Sequence, residues 1–320
     1  MSIFNQRKDV EELEAVAEQR NLVTDKPSSQ WKLTLQRFRG RKSGMIGLTI
    51  VTLLILMAIF APILAPYEPN EVLIGKEDVG PRDPPCVHAF GCPEETPQHV
   101  MGTDGNVRDE FSRVIYGARV SLTLGFFTVT IALIVGSAFG AIAGFTGGWA
   151  DNVIMRVMDV VLGFPSLLLA IAIVAVLGPG LRNALIAIAI VTMPGYARVM
   201  RAQVLSIKES DYVSASEALG ASSTQLLVRR VIPNALTPLV VLATLGVATA
   251  ILEAAGLSFL GLGAQPPLAE WGSMLASERN QLFTAPFLVF FPGIAIMITV
   301  LGFNLMGDGL RDALDPTLNR

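Results

Sequence analysis

The sequence has few charged residues and contains long stretches with none. Only 16% of its 320 residues are Asp, Glu, Lys or Arg, whereas 52% are hydrophobic. A soluble domain has about 25% charged residues. The charge-free stretches are 43–67, 120–150, 160–181, 231–252 and 280–307. Each is longer than the roughly 20 residues that a helix needs to cross the hydrocarbon core of a bilayer, so the pattern indicates an integral membrane protein rather than a soluble one.

The common sequence motifs of catalytic sites are also absent. The sequence has no G-x-x-x-x-G-K-[ST] loop for a nucleotide, no G-x-S-x-G and no H-E-x-x-H. The two histidines, His88 and His99, lie outside the hydrophobic stretches. Asp308, in the Gly-Asp-Gly at 307–309, would need a second intramembrane acid for aspartyl catalysis, and Asp159 is the one candidate. We expect a helix cap and turn at 307–309 instead, and no catalytic residue.

A sixth, shorter hydrophobic stretch lies between Arg182 and Arg198. It can cross the membrane if both arginines extend to the interfaces. We therefore predict an all-α membrane protein with about six transmembrane helices, at 44–65, 119–145, 154–177, 183–203, 234–257 and 285–307.

Basic residues predict the orientation. Arg37, Arg39, Arg41 and Lys42 directly precede the first span, and such a cluster is retained in the cytoplasm. With six spans, both termini and the 204–233 loop are then cytoplasmic. The predicted organisation is a cytoplasmic tail (1–43), a first span (44–65), an extracytoplasmic loop (66–118), a core of five spans (119–309) and a cytoplasmic C-terminal tail (310–320).

The N-terminal tail has two parts. Residues 7–20 carry charge on nearly every side and suit either a solvated helix or disorder. In the stretch that follows, Trp31, Leu35 and Phe38 share one helical face, with basic residues elsewhere. This pattern predicts an interfacial helix on the inner leaflet. An unstructured basic tail is the alternative.

All cysteines and histidines of the chain lie in the long loop, spaced C-x-H-x3-C-x6-H from Cys86 to His99. Thiolates and imidazoles are zinc ligands, but the spacing matches no zinc motif, so we predict no metal. A disulfide between Cys86 and Cys92 in an oxidising space, or two free thiols, are the other readings.

The cytoplasmic loop is polar and rich in small residues. Its composition predicts a short helix over 211–219, with Ser210 or Asp211 as the N-cap and Gly220 as the terminator, and a second helix over 222–231. Small side chains on one face of the first helix allow another protein's backbone to approach closely. The loop is therefore either a contact for a cytoplasmic partner or an ordinary connector.

Four separated motifs resemble those of one transporter family. DYVSASEALGASSTQLLVRRVIPNALTP resembles the EAA loop of ABC importer permeases, with Ser214-Ala215-Ser216 in place of E-A-A and Gly220 matching the glycine. MGTDGNVRDEFSRVIYGARVSL, from residue 101, resembles a block of dipeptide and oligopeptide permeases, except that Val107 replaces the usual Gly. LSFLGLGAQPPLAEWGSML and FNLMGDGLRDALDP resemble two further blocks. The chain is thus similar to C-type permease subunits of peptide ABC importers, with a type I importer fold.

The resemblance implies the partners and the location. Such subunits pair with a second, homologous permease in a bacterial or archaeal cell membrane, and an extracytoplasmic binding protein delivers the substrate. Two cytoplasmic ATPase subunits bind the ATP and Mg²⁺, and none is expected on this chain. Nucleic acid is not an expected partner. The cargo is a dipeptide or oligopeptide; nickel, glutathione and oligosaccharide are alternatives. A secondary transporter is a further alternative, but the sequence shows no internal repeat on which to build one.

The resemblance also indicates which residues touch the ATPases. They are expected to be Tyr212, Ala215, Ser216, Leu219, Gly220 and Ala221. The hydrophobic stretches and their margins contain a few more polar candidates. Glu253 either lines the substrate pathway or is a structural partner for another group. Arg156 and Asp159, one turn apart, are expected to form a structural pair. Three prolines are expected to kink or hinge the spans: Pro165, Pro194 and Pro292.

Overall fold

A computed structural model of the chain describes residues 30–314, with side chains from Thr34 onward. The regular structure in this range is helical, with isolated bridges such as that between Thr103 and Asp109. The helices are α1 (Gln30–Gly40), α2 (Lys42–Ile59), α3 (Ala61–Leu64), α4 (Glu110–Thr146), α5 (Gly148–Leu162), α6 (Ser166–Leu177), α7 (Leu181–Lys208), α8 (Asp211–Ala218), α9 (Ser223–Leu226), α10 (Ile232–Phe259), α11 (Trp271–Glu278) and α12 (Phe287–Leu314).

Five of the predicted spans are long, apolar helices in the structure. They are α2, α4, α7, α12 and the continuous segment Ser223–Phe259 that contains α10. The least hydrophobic of the predicted spans, 183–203, lies within α7. The count of six is reached only if α5 and α6 together form one broken span.

The predicted span over 154–177 is interrupted at Pro165, as expected, but the interruption is a break rather than a kink, because α5 and α6 are bent by 94° relative to each other. Pro165 causes the break: it has no N–H to donate, and it disfavours helical backbone in the residue before it. The N–H of Gly163 closes α5 by donating to the carbonyls of Asp159 and Val160. Pro194 and Pro292, in contrast, lie inside continuous helices.

Two helices are longer than the predicted spans. α4 begins at Glu110 rather than 119, where the side chain of Asp109 accepts a hydrogen bond from the Ser112 N–H. α12 continues to Leu314, so Gly307-Asp308-Gly309 is helical and the predicted cap and turn is wrong. These glycines serve packing: Gly309 lies against Gly44 of α2, and a Cβ on Gly307 would lie 2.6 Å from Cδ2 of Leu245.

The centre of the fold is the close contact between α4 and α7. Gly136, Gly140 and Gly144 recur every four residues and therefore share one face of α4. A Cβ on Gly136 would lie 2.5 Å from the Met193 carbonyl oxygen, and one on Gly144 would lie 2.9 Å from that of Arg201. Small residues at this spacing let membrane helices approach backbone to backbone.

The helices place the two long loops at opposite ends of the bundle. At one end, Lys208 Nζ donates to the carbonyl of Gly144 at 3.2 Å, next to the loop that follows α7. At the other end, Arg82 Nε of the 65–109 loop donates to Oε2 of Glu278 at 2.9 Å. The same end holds the connection between α6 and α7, where Gly180 N–H donates to the Leu262 carbonyl.

A disulfide joins Cys86 and Cys92 in the 65–109 loop. The two histidines have other partners: His88 Nε2 lies 2.8 Å from the carbonyl oxygen of Thr96, and His99 is buried among carboxylates. No group of three or more potential metal ligands occurs among residues 30–314.

Val107 occupies a turn that suits glycine. Its φ is 57°, a left-handed conformation that costs a β-branched residue roughly 1–2 kcal/mol. The turn is held by hydrogen bonds from Val107 N–H to the Asp104 carbonyl and from Leu73 N–H to the Val107 carbonyl. Val107 thus keeps the backbone conformation that the usual glycine of this motif would adopt without strain.

The predicted N-terminal helix forms as α1, and two of its apolar side chains differ in burial. Phe38 is buried, with its ring against Gly44 and Gly309, whereas Leu35 is exposed. Phe38 therefore packs on the protein rather than reaching outward with Leu35. The side chain of Trp31 and the charged segment 7–20 lie outside the described residues.

His99 links the 65–109 loop to the start of α4. Its Nδ1 lies 2.8 Å from Oδ1 of Asp109, and its Nε2 lies 3.1 Å from Oε2 of Glu77. Burial works against the charged imidazolium, but the hydrogen bonds and charges of Asp109 and Glu77 outweigh burial and raise the pKa of His99. When the ring is protonated, it donates to both carboxylates and stabilises this junction.

The close contact between α4 and α7 predicts that replacing Gly140 by alanine destabilises the protein, whereas replacing Gly195 by alanine does not. In Gly140→Ala the new Cβ would overlap the Ala197 carbonyl, and we expect a loss of about 1–3 kcal/mol of stability from overpacking. In the control, Gly195→Ala, nothing lies within 4 Å of the new Cβ, so stability should be kept. Thermal unfolding of both variants in detergent measures the difference; equal melting temperatures would contradict the close contact.

The raised pKa of His99 predicts a pH-dependent stability. The contribution is fully present below the unfolded-state value of about 6.5 and is lost as pH rises through the folded-state pKa. The melting temperature of the wild type should therefore exceed that of His99→Gln most at low pH, and the gap should narrow as pH rises. His88→Gln is the control, since His88 is exposed. A gap that widens with pH would refute the protonated assignment.

Candidate functional site

The loop between α7 and α10, residues 209–231, presents a short helix at the surface. α8 has Ser210 at its N-cap position and Leu219 at its C-cap position, and Gly220 then turns the chain with φ of 87°. Only glycine adopts this conformation without strain. The predicted helix and its terminator are therefore where the composition indicated.

Two contacts hold α8 against the transmembrane core. Val213 is 3% exposed and packs in the same apolar cluster as Val204, Leu226 and Val231. The Tyr212 hydroxyl accepts a hydrogen bond from Asn234 Nδ2, at 3.2 Å, at the start of α10. Sequence reasoning missed Val213, although it is a β-branched residue in an otherwise polar stretch.

The second half of the loop differs from the single predicted helix over 222–231. α9 is one turn long, and Ser222 and Gln225 form a capping box at its start. Leu227–Val231 then form a π-helical turn that leads directly into α10. Such turns occur mostly as short insertions in helices, frequently at functional sites.

The outer surface of the loop carries mostly small or polar side chains and one large apolar side chain, Leu219, with two arginines beside it. Leu219 is 89% exposed, although leucine is an apolar residue. A cavity of about 330 Å³ opens next to it. The cavity is lined by Ser216, Leu219, Gly220, Ala221, Gln225, Leu226, Arg229 and Arg230. Of the six residues singled out from the sequence, four line this cavity, and Tyr212 and Ala215 are exposed on the adjoining helix.

A charged cleft of about 750 Å³ is lined by residues of both α5 and α7. Asp159 pairs with Arg198 at 2.9 Å, and Asp151 pairs with Arg201. The predicted pair of Arg156 with Asp159 is therefore replaced by bonds between helices, because α5 packs along α7 and brings arginines of the second helix within reach. Arg156 lines the same cleft.

Glu253 lies on α10 beside the break between α5 and α6. The side chain of Ser166, the first residue of α6, lies next to its carboxylate. The other oxygen, Oε2, is buried and has no hydrogen-bond partner. Nearby, Gly256 of α10 faces Leu167, with 3.8 Å between Leu167 Cδ1 and the position of a Cβ on the glycine. This face of α10 therefore meets the first turn of α6.

Comparison with known proteins covers almost the whole chain. Residues 136–320 match the family model for the binding-protein-dependent transport system inner membrane component, and residues 29–85 match the N-terminal TM domain of oligopeptide transport permease C. The dipeptide transport system permease protein DppC of Alkalihalophilus pseudofirmus is 48% identical over 290 residues, which are 91% of each chain. The glutathione transport system permease protein GsiD of Shigella boydii is 42% identical over 320 residues, 99% of each chain.

Solved structures agree on the fold. A chain of the MetNI methionine ABC transporter, in an inward-facing conformation, superposes on 63% of this chain and 97% of its own length, with a TM-score of 0.53 and 19% identity. The helical architecture is therefore that of a type I ABC importer permease. The protein is a multi-pass membrane protein that belongs to the family of binding-protein-dependent transport system inner membrane components.

Proposed function

We propose that the chain forms half of a peptide pathway and is driven by ATPase subunits that bind its 209–231 loop. The observation that carries the proposal is the combination, in this loop, of an exposed apolar tip with a rigid attachment. Leu219 is free to enter a groove of a partner, while Val213 and the Tyr212 hydroxyl fix α8 to the membrane helices.

The attachment explains how a push on the loop would reach the pathway. α8 follows α7 after two residues, and the segment that follows it enters α10 without a flexible linker. Movement of α8 therefore moves the ends of two transmembrane helices. A partner shifts such a two-state equilibrium only by binding one state more tightly than the other, so the ATPases must grip α8 differently before and after ATP binding.

The proposed assembly follows from assigning the pathway to this chain and ATP binding to separate subunits. The partners are a second, homologous permease, two ATPase subunits that hold the ATP and Mg²⁺, and an extracytoplasmic binding protein. Arg229 and Arg230 border the cavity of the loop, and they suit an acidic side chain of the ATPase. The proposed orientation has both termini and the 209–231 loop in the cytoplasm, and the 65–109 loop outside, where its disulfide is stable.

The proposed cargo is a short peptide. Relatives named as dipeptide and as di/tripeptide permeases share 48% identity with the chain, and a relative named as a glutathione permease aligns over 99% of it. Glutathione is itself a small peptide with a free amino group. It is the second candidate, while the sequence family also admits nickel and oligosaccharides.

The coupling role predicts that changes in the loop stop transport without unfolding the subunit. Proline cannot adopt the positive φ of Gly220, and in Ala215→Trp a bulky ring would cover the exposed face of α8. Both Gly220→Pro and Ala215→Trp should accumulate in the membrane at normal levels yet abolish ATP-dependent uptake. Uptake of labelled dipeptide by cells that carry the complete transporter is the measurement.

Ser43→Trp provides the matched control. Ser43 is also small and exposed, but it lies at the start of α2, away from the loop, and the variant should transport normally. Normal uptake by both loop variants would remove the coupling role. Uptake by wild-type cells that lack the ATPase subunits would reject the proposed function altogether.

A further inference from the structure

Glu253 is a carboxylate that the isolated subunit leaves incompletely satisfied within a membrane helix. Its Oε2 is buried without a hydrogen-bond partner, and the N–H groups at the start of α6 do not supply one. An unpaired polar group in hydrocarbon is costly, and acidic residues in spans usually face a polar path or another charge. The carboxylate therefore lacks a full set of donors within this chain, and its side chain is partly exposed, so a group from outside the chain can approach it.

The surroundings of Glu253 indicate where such a group comes from. The break between α5 and α6 leaves its residues exposed, among them Phe164, Ser166 and Leu168. Leu252, next to Glu253 on α10, is exposed as well. Non-helical backbone at membrane depth is tolerated only where it is buried in protein or lines a water-filled cavity. Together, the broken backbone and the carboxylate indicate that this face adjoins a polar path or another protein surface rather than lipid.

The chemistry of the cargo suits this carboxylate. Dipeptides, tripeptides and glutathione differ in side chains and length, but all carry a primary ammonium group, which has three donors and a positive charge. We propose that Glu253 is a specificity-determining residue that receives the ammonium group of a peptide as it passes the break between α5 and α6. This inference rests on the proposed function, and it adds a recognition step within the membrane to that of the binding protein.

Access from water is the first test. Cys86 and Cys92 are the two cysteines of the chain and are bonded to each other, so Glu253→Cys introduces its one free thiol. In the assembled transporter, a cationic methanethiosulfonate should label this thiol, and the loaded binding protein with ATP should slow the labelling. Ile55→Cys, exposed on the apolar helix α2, should stay unlabelled. Failure to label position 253 would overturn the proposal.

Uptake provides the second test, with a dipeptide and its N-acetylated analogue chosen for equal affinity to the isolated binding protein. In proteoliposomes with saturating binding protein, Glu253→Gln should slow the free-amine peptide about tenfold, the size expected for a lost charge-assisted hydrogen bond. It should leave the acetylated peptide unchanged. Glu253→Asp should restore part of the preference, and Glu94→Gln, which changes an exposed acid in the 65–109 loop, should change neither rate.

The outcomes separate the two proposals. If Glu253→Gln slows both peptides equally, or if the complex dissociates, the residue is a contact to the second permease and the ammonium role is wrong. If the rates of both peptides are unaffected, the role is wrong as well. If wild-type proteoliposomes show no ATP-dependent uptake of either peptide, the proposed function itself fails.

Discussion

The close approach of α4 and α7 is the contact on which the rest of the structure depends. Three glycines at four-residue intervals remove the side chains that would otherwise separate the two backbones. Without a hydrophobic driving force inside the bilayer, such packing supplies much of the association energy of membrane helices. Because α7 leads directly into α8, the position of the exposed loop is set by this contact.

Other elements are attached to the α4–α7 pair by polar contacts near its ends. Asp151 and Asp159 tie α5 to arginines of α7, and Lys208 ties the end of α7 to Gly144 of α4. At the opposite end, Glu278 receives Arg82 from the long loop, and His99 joins that loop to the N-cap of α4. Polar groups thus hold the ends of the bundle, and close apolar packing holds its middle.

Much of this organisation was predictable from the sequence. Charge-free stretches located the spans, because an uncompensated charge in hydrocarbon is costly, and Gly220 marked the end of α8 because of its conformational freedom. Pro165 was recognised as an interruption, but not as a bend of 94°. A hydropathy pattern counts length and polarity, and it does not contain the direction in which a chain leaves a proline.

The failures concern contacts between distant segments. Asp159 was assigned to Arg156 because the two are neighbours on one helix, whereas its partner, Arg198, is on another. Gly307-Asp308-Gly309 was interpreted as a terminator, since the sequence did not reveal that α2 lies against it. Val213 anchors the loop through packing that its local sequence does not show. The exposed half of the site was therefore predicted better than its buried support.

The α4–α7 contact and the proposed coupling role of α8 together imply that α4, α7 and α8 move as one rigid body when the transporter changes state. The most direct test is a distance measurement between spin labels at Ser214→Cys and Phe139→Cys, two exposed positions in a chain whose natural cysteines are paired. In the assembled transporter, the mean distance should be the same with and without bound ATP, while the distance from position 214 to its counterpart on the proposed second permease changes. A shift of the 214–139 distance upon ATP binding would contradict the claim.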